Sequence, residues 1–593
     1  TMPWMTTVGA STQPRFYQGT ATLGNGAQYS GASITPPTGT NTLVDAEFAG
    51  GALCIPGTLD PALVAGNIVL CSRGSIARAA KSQAVTEAGG VGMIMHNTVD
   101  TGNLFTDTHS VPSIHIDLTP GLEIKAYIAA NPGSATATIT TGEVATWEPA
   151  PSMTIFSSRG PNPVSPDILK PDVTAPGFQI LAGHSPFPVD GFQGELFQAI
   201  AGTSMSSPHV AGLFALLKQE HPDWTPAMAR SALMTTAYQD VRDNDRVSQA
   251  TAFSMGAGHV NPGRPNDKGS AFQPGLAYDA GLLEYAAYTC GENFGVFTTG
   301  TCDFLTSEGI PSDPSDLNLP SIAIADLAGS QTVTRTVTSV ASEQGWRTYD
   351  VSVNPPPGYS VTVSPTSLRL KPGDTASYTV TITSTSGTPG VWSQGSLTWN
   401  SDNGLYEVRS PIAVKAALFS APAAVTGAGE AGASSFNVDF GYSGAYVAAG
   451  HGLEAATITT GNVLQDPDQT FAPSDVGAGA VAHEFTLSGE AFFRIAMPPE
   501  ATEADADIDI FVADPAGNIV ASSTAGGTNE LIDIALPADG TWTVYVHGWA
   551  APGGDSDYDM YTWVISATPG GSLSVDTAPA SATLGTSGTV DVS

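Results

Sequence analysis

The sequence is poor in charged residues, and above all in basic ones. Only 13% of its 593 residues are charged, and 20 Lys and Arg stand against 55 Asp and Glu, which gives a formal net charge of −35 at pH 7. Such a chain repels nucleic-acid backbones and anionic lipid headgroups, so we expect no nucleic-acid partner. It also lacks a run of about 18 uninterrupted apolar residues, so no membrane-spanning helix is predicted.

Cysteine is scarce as well, with four residues at Cys54, Cys71, Cys290 and Cys302. Three pairings are possible, and the grouping favours Cys54 with Cys71 and Cys290 with Cys302. Each bridge would close a short loop and contribute about 3 kcal/mol in the loop-entropy model. Together with the acidic composition, paired cysteines predict a secreted, extracellular protein. Four reduced, buried thiols in a cytosolic chain are the alternative that the spacing leaves open.

Glycine (65) and proline (44) are, by contrast, abundant, which is typical of turn-rich β architecture. The length predicts about three to five domains. Residues 17–142 contain a strand–helix–strand pattern, with strands predicted at Ile68–Cys71 and Val91–Met95, which predicts a small α+β module. Residues 143–304 carry long helical patterns between Gly- and Pro-rich loops, and one of these helices is predicted to begin at Thr225-Pro226, a favourable N-cap and first-residue pair. Residues 316–415 alternate apolar and polar side chains with period two, which predicts a β-sandwich.

The C-terminal part is strongly acidic. By count, 22 of the acidic residues follow Ala416, and Arg494 is the one basic residue there. Its segments still alternate apolar and polar residues, so residues 416–567 are predicted to form a second β-sandwich rather than a disordered tail. Residues 568–593 are predicted to begin a further β-module that stops before it could bury a core.

The most informative string is GTSMSSPHVAG at Gly202–Gly212. It predicts a helix from near Ser204 to about Gln219 and places a serine in the first turn. A helix N-terminus offers free N–H groups and positive potential, which suit a developing oxyanion. Ser204 is therefore a candidate nucleophile, although by position alone a serine there is more often a helix N-cap.

The whole string resembles the active-site serine motif of the subtilisin family of serine endopeptidases, the subtilases. Further strings, in the same order, resemble flanking motifs of the plant-type, cucumisin-like branch. They are FSSRGPNP at Phe156–Pro163, LKPDVTAPG at Leu169–Gly177, GAGHVNP at Gly256–Pro262 and PGLAYDAG at Pro274–Gly281.

The resemblance also covers the other segments. Residues 17–142 resemble the protease-associated domain of this branch, residues 316–415 its fibronectin-III-like domain, and residues 416–567 the bacterial pre-peptidase C-terminal type of sandwich. The implied fold class is a partial α/β subtilisin-like catalytic core, built from residues 1–16 and 143–304, with an inserted α+β protease-associated domain and all-β sandwich domains after it.

The resemblance implies that Ser204 attacks peptide bonds of protein substrates and forms an acyl-enzyme. The backbone N–H of Ser204 would donate to the oxyanion, and Gly202 and Thr203 would form the active-site turn. A serine hydroxyl also needs a histidine base held by a carboxylate. In this family the chain order is Asp, His and then Ser.

No motif for the catalytic Asp, His or oxyanion Asn precedes Ser204. Asp100-Thr101-Gly102 mimics the Asp motif but falls inside the inserted domain. His209 lies five residues after Ser204 and is rotated about 140° from it on a helix, so we expect a structural hydrogen bond there. The histidines in predicted strands or turns, such as His96, His115 and His259, are not expected to be catalytic either.

We therefore expect the missing catalytic groups to lie upstream of this chain, and the chain alone to be inactive. Its start has no signal-peptide pattern, and Met5–Val8 is predicted as a strand that begins without a preceding turn. The alternative is a non-catalytic extracellular protein that binds polypeptides or surface ligands through its protease-associated and β-sandwich modules. The intact GTSMSSPH string favours the enzyme.

No cofactor and no metal site are predicted. Two acidic runs could hold a structural Ca²⁺, but neither has the Gly and Glu spacing of an EF-hand loop, and a solvated acidic face is the preferred interpretation. The runs are Asp505, Asp507 and Asp509, expected on one strand, and Asp555, Asp557 and Asp559, expected in a loop.

Overall fold

The computed structural model describes most of the chain. The described residues are 2–100, 103–146, 149–187, 193–194, 196–292, 294–422, 425, 432–452, 454–503, 505–524, 526–571 and 573–593. They form two compact units, Thr1–Leu418 and Phe419–Ser593. Among the described helices, none combines the length and the hydropathy that a membrane-spanning helix needs.

The first unit contains a small α/β layer, here called the serine region (residues 2–14 and 149–275). The strand Val8–Ser11 pairs in parallel with Val173–Pro176, and the helix Thr203–Glu220 packs on both. The first strand was predicted at Met5–Val8, which is wrong: Met5 is about half exposed, and pairing begins at Val8 because its partner strand begins at Val173.

Two shorter helices and a hairpin complete the serine region. The helix Pro226–Thr235 is capped by Thr225, whose hydroxyl accepts a hydrogen bond from the Met228 N–H. The strands Ile180–Gly183 and Phe197–Ile200 form an antiparallel hairpin, and Ala252–Met255 is a single helical turn.

The insert between these segments is a mixed sheet of eight strands. The strands are Arg15–Leu23, Gln28–Ala32, Asn41–Asp45, Ile68–Ser72, Gly92–His96, Ser113–Ile116, Thr136–Ile139 and Glu143–Thr146. Because Gln28–Ala32 pairs with both Ser113–Ile116 and Arg15–Leu23, seven of the strands close into a ring. The helices Arg78–Glu87 and Leu118–Ala130 accompany two hydrophobic clusters in this module.

Both disulfides lie in the first unit. Cys54 bonds Cys71 in the insert, and Cys290 bonds Cys302, which links the helices Leu282–Gly291 and Thr299–Ser307. This is the pairing that the spacing favoured. The single turn Pro61–Val64 precedes the strand that carries Cys71.

The β-sandwich of the first unit takes one strand from outside its predicted range of 316–415. Leu276–Tyr278 pairs with Ser330–Ser339, and the Tyr278 hydroxyl lies 2.6 Å from that of Tyr378 in the core. The remaining strands of this sandwich are Ile322–Leu327, Arg347–Asn354, Tyr359–Ser364, Ser367–Leu370, Thr375–Ser384, Trp392–Ser401 and Glu407–Ala416. The sandwich is therefore built partly from residues that were assigned to the catalytic core.

The second unit contains the predicted acidic sandwich. Its two four-stranded sheets enclose a core that includes Phe493, Ile508 and Val544. The strands are Thr457–Leu464, Ala480–Leu487, Glu490–Met497, Asp507–Ala513, Ile519–Ser523, Glu530–Ala535, Gly540–Ala550 and Asp555–Ser566.

The last residues differ from the prediction of a separate module. Ser587–Val592 pairs with Ser434–Phe440, and with Phe419–Ser420 and Val575–Thr577 they form one sheet. Gly444–Ala445 pairs with Ser581–Ala582. Val438, Phe440 and Val590 are buried together, so residues 568–593 do cover a core, and the start of the predicted 416–567 domain supplies the other half of it.

Candidate active site

The candidate nucleophile lies where strand Phe197–Ile200 passes into the helix Thr203–Glu220. Ser204 is exposed and is the second residue of that helix. Its N–H therefore belongs to the first turn, whose N–H groups have no intrahelical acceptor and carry positive potential. The exposed hydroxyl and this N–H are available on the same turn, as acyl transfer requires of a nucleophile and an oxyanion donor.

Two glycines hold this turn against the parallel strands. The Gly202 N–H donates to the Gly177 carbonyl at 2.8 Å, while the Gly202 carbonyl accepts from the Met205 N–H at 3.0 Å. A Cβ on Gly177 would lie 2.2 Å from Ser206 Oγ and 2.8 Å from the Ala10 side chain. Only glycine fits there, so Gly177, the final glycine of LKPDVTAPG, allows the serine turn to pack closely against the strand Val8–Ser11.

The other family-like strings form the scaffold around this turn. Ser157 accepts a hydrogen bond from the Ala10 N–H at 3.0 Å, and Arg159 forms a two-pronged pair with Asp243. Lys170 and Asp172 form a buried ion pair at 2.7 Å. Ser157 and Asp172 thereby hold the paired strands on which the turn rests, whereas the Arg159–Asp243 pair joins two segments outside those strands.

The insert is anchored to the hairpin that leads into Ser204, which sequence reasoning missed. Thr106 Oγ1 donates to the Ala199 carbonyl at 3.0 Å, five residues before Ser204. Buried Gln179 donates to the Leu104 carbonyl at 3.0 Å and accepts from the Tyr17 N–H at 2.9 Å. No sequence signal marks these two side chains, because each partner is more than 70 residues away.

No histidine in the described part of the chain hydrogen-bonds the Ser204 hydroxyl. His209 Nδ1 donates to the Met205 carbonyl at 2.8 Å, one turn back, which confirms the structural hydrogen bond. Burial lowers the pKa of His115 to about 3 and that of His259 to about 4, and it also lowers the pKa of His96. His96 and His259 donate to the carbonyls of Asn97 and Val260, and His115 accepts from the Phe105 N–H and donates to the Asn97 amide oxygen, so none of these rings reaches Ser204.

Asp100 lies in the insert and is hydrogen-bonded there, as expected from its position in the sequence. Its carboxylate accepts hydrogen bonds from the N–H and the hydroxyl of Thr119, at 2.9 and 2.5 Å, and these lower its pKa. Thr101 and Gly102 of the same string lie outside the described residues.

The two acidic runs differ from the prediction of a wholly solvated face. Asp509 is buried and lies 3.2 Å from His547 Nδ1, while Asp557 accepts from Asn462 at 2.8 Å. Asp555–Asp559 lie on the strand Asp555–Ser566 rather than in a loop, because they pair in register with Thr457–Leu464. Within the described residues, no group of three or more His, Cys, Asp or Glu side chains has the arrangement of a metal site.

Four family models match the chain. A subtilase family model covers residues 123–258, a PA domain model residues 37–124, a fibronectin type-III domain model residues 316–414, and a bacterial pre-peptidase C-terminal domain model residues 475–548.

Curated relatives from Arabidopsis thaliana match most of the chain. Subtilisin-like protease SBT1.7 is 40% identical over 443 residues, and subtilisin-like protease SBT1.6 is 38% identical over 447 residues. These alignments cover 70% of this chain but 56% and 57% of the relatives, so the chain spans little more than half of their length.

Solved structures resemble the chain only weakly. Tripeptidyl peptidase 2 covers 84% of this chain and 36% of its own at 13% identity, with a TM-score of 0.23. The pre-peptidase C-terminal domain of a collagenase from Bacillus anthracis covers 19% of this chain and 94% of its own at 14% identity, with a TM-score of 0.14. Neither likeness carries an argument about this site.

Proposed function

We propose, from the premise that the chain belongs to the subtilase family, that it is part of a secreted serine endopeptidase with Ser204 as its nucleophile. The observation that carries the proposal is the exposed Ser204 hydroxyl on the first turn of a helix, beside the free N–H groups of that turn. The substrates are peptide bonds of proteins. Secretion is supported by the two disulfides and the acidic composition.

The chemistry follows from the geometry of the turn. The Ser204 oxygen attacks the carbonyl carbon of the substrate, and the hydroxyl proton passes to a histidine base. The carbonyl oxygen becomes an oxyanion that the Ser204 N–H stabilises, and the leaving amine takes the proton as the acyl-enzyme forms. Water then hydrolyses the ester.

The base, its carboxylate partner and the oxyanion Asn are proposed to lie in sequence outside this chain. In the described residues the Ser204 hydroxyl has no histidine partner, and the relatives are almost twice as long as the matched region. Because nucleophile, base and carboxylate act as a unit, loss of the triad in a serine protease of this type costs on the order of 10⁶ in rate. The chain by itself is therefore expected to be inactive.

A fluorophosphonate probe tests both parts of the proposal. We expect no labelling of this chain, and labelling at Ser204 when about 200 upstream codons of its gene are included in the expressed protein. Ser204→Ala in the longer protein removes the label, while Ser207→Ala, three residues on and also exposed, retains it. Fast labelling of the short chain would overturn the missing-base argument, and labelling of the Ser204→Ala protein would overturn the nucleophile.

A further inference from the structure

An arginine faces an open cavity between the serine region and the β-sandwich of the first unit. The cavity has a volume of about 430 Å³ and is lined by residues 239–256 and by three sandwich strands. Those strands contribute Asn354, Gln394 and Arg409. The walls are therefore rich in side-chain amides, with one guanidinium among them.

The strand Glu407–Ala416 directs Arg409 to this cavity. Val408, Ile412 and Val414 point into the sandwich core, so by alternation Arg409 and Ala413 belong to the other face. Ala413 is buried there against Phe253 of the serine region. The cavity is thus a gap in an otherwise packed contact between the two parts.

The Arg409 guanidinium makes few hydrogen bonds to the protein. A guanidinium carries five N–H donors, yet Arg409 makes one side-chain hydrogen bond in the described part of the chain, to the Ala257 carbonyl at 3.5 Å. Burial lowers its pKa, and no carboxylate opposes that effect. Buried Arg335, by comparison, donates to four backbone carbonyls at 2.8–3.0 Å.

A second donor group, the Gln394 amide, lines the same cavity, opposite Ala413 and four residues along the sheet from Arg409. Gln394 Oε1 accepts a hydrogen bond from the Ala252 N–H at 2.7 Å, which fixes the amide and leaves its NH₂ group as a donor. Asp240 also lines the cavity, but its side chain is 85% exposed and lies 3.5 Å from Arg242. Its charge is therefore screened by water and by its own partner.

We propose that this cavity binds a small carboxylate, which Arg409 holds by two parallel hydrogen bonds, with the Gln394 amide as a further donor elsewhere in the cavity wall. A planar guanidinium matches a carboxylate in this two-pronged way. A single cation neutralises a single negative charge, and a chain of net charge −35 disfavours a more highly charged anion. The carboxylate is either a free small acid or the C-terminus of a peptide.

Saturation-transfer NMR titration of the full chain with three probes tests the proposal. The ionic strength is kept constant with chloride salts, so that only the probe changes. The probes are acetate, N-acetyl-dialanine and the C-terminal amide of that peptide. We expect the peptide acid to bind at least about tenfold more tightly than the amide. Acetate binding as tightly as the peptide acid would identify a free acid as the ligand, and weaker acetate binding would identify a peptide C-terminus.

Two arginine variants complete the test. Arg409→Gln is expected to lose the tenfold preference for the acid, whereas Arg369→Gln, which removes an exposed positive charge from the same sandwich, retains it. The ligand-free melting temperature of Arg409→Gln is expected to match that of the parent chain. Equal binding of acid and amide, no binding of the acid, an unchanged preference in Arg409→Gln, or a clear fall in its ligand-free melting temperature would each overturn the proposal.

Discussion

The two compact units place different cations against their buried carboxylates. In the first unit Lys170 is paired with buried Asp172, and a second buried cation, Arg335, is enclosed by backbone carbonyls. In the second unit Asp466 and Asp509 lie 2.8 and 3.2 Å from the two ring nitrogens of buried His547. Arg494 is the only Lys or Arg after Lys415 in the sequence, and it is a histidine that pairs with the buried carboxylates of this unit.

This difference gives the two units opposite responses to pH. Burial keeps His115 and His259 of the first unit neutral, with pKa values of about 3 and 4. In the second unit burial opposes the charge on His547, but hydrogen bonds from the ring to Asp509 and Asp466 outweigh it and raise the pKa. A fall in pH therefore destabilises the first unit, whose buried histidines are neutral, and stabilises the second unit, in which His547 is charged.

The largest expected effect comes from breaking the buried ion pair of the first unit. Lys170→Met leaves the Asp172 carboxylate buried without its cation, and should lower the free energy of unfolding of that unit by about 3–5 kcal/mol. Urea unfolding followed by hydrogen exchange, read from peptides of each unit, measures it. Lys125→Met removes a more exposed lysine of the same unit and should cost much less. A similar loss in both variants would contradict the comparison.

Removal of the disulfide in the insert should come next. Cys54 and Cys71 are 17 residues apart, and the double Cys54→Ala/Cys71→Ala variant is expected to lose about 3 kcal/mol by the loop-entropy argument. The same exchange measurement should show no change in peptides from residues 457–566. Equal destabilisation of both units would show that their stabilities are coupled.

Acidification should destabilise the first unit through His115. Because its folded pKa is about 3, its neutral form contributes stability that is complete above pH 6.5 and is lost as the pH falls towards 3. Between pH 6.5 and 4 the loss is on the order of 3 kcal/mol. The free energy of unfolding of His115→Gln should fall less than that of the parent chain between pH 6.5 and 4. The charged or titratable groups that act on this ring are unchanged in His115→Gln, so the two proteins differ only at position 115. These groups are Arg78, Arg73, Asp107 and His109.

The second unit should respond in the other direction. The raised pKa of His547 means that its charged form contributes stability that is complete below pH 6.5 and is lost as the pH rises through the folded pKa. Unfolding of the 457–566 sandwich should therefore become easier above that pKa, and His547→Gln should remove this pH dependence. An unchanged slope in the variant would refute the role of the buried cluster.

The smallest effect is expected at the surface of the second unit. Arg494 and Asp533 form a two-pronged pair at 2.7 and 2.8 Å, but both side chains are about 40% exposed. Arg494→Gln should cost below about 1 kcal/mol, and less still in high salt. Thermal unfolding at two salt concentrations checks this. A cost above that of the disulfide would contradict the ranking.

Local patterns predicted the elements that depend on neighbouring residues. The helix after Gly202 was predicted from Ser204 and begins at Thr203, and Thr225 caps the next helix as expected. The strands of the insert at Ile68 and Gly92 also lie within one residue of their predicted starts. In each case the periodicity and the capping residues lie within a few positions of the element they determine.

Pairings between distant segments could not be predicted in this way. Leu276–Tyr278 joins a sandwich whose other strands begin more than 40 residues later, and Ser587–Val592 pairs with Ser434–Phe440. Alternating apolar residues show that a segment is a strand but not which edge it covers. Asp509 likewise belongs to an acidic run, and only the fold places it against His547.

The sequence alone determined the family resemblance, the candidate nucleophile and the order of the modules, because motif identity and periodicity are local properties of a chain. Only the tertiary structure decided that Gly177 must be glycine, that Thr106 and Gln179 tie the insert to the serine hairpin, and that Arg409 faces a cavity. Each of these depends on the approach of segments tens to hundreds of residues apart, where sterics, desolvation and hydrogen bonding are set by packing rather than by neighbours in sequence.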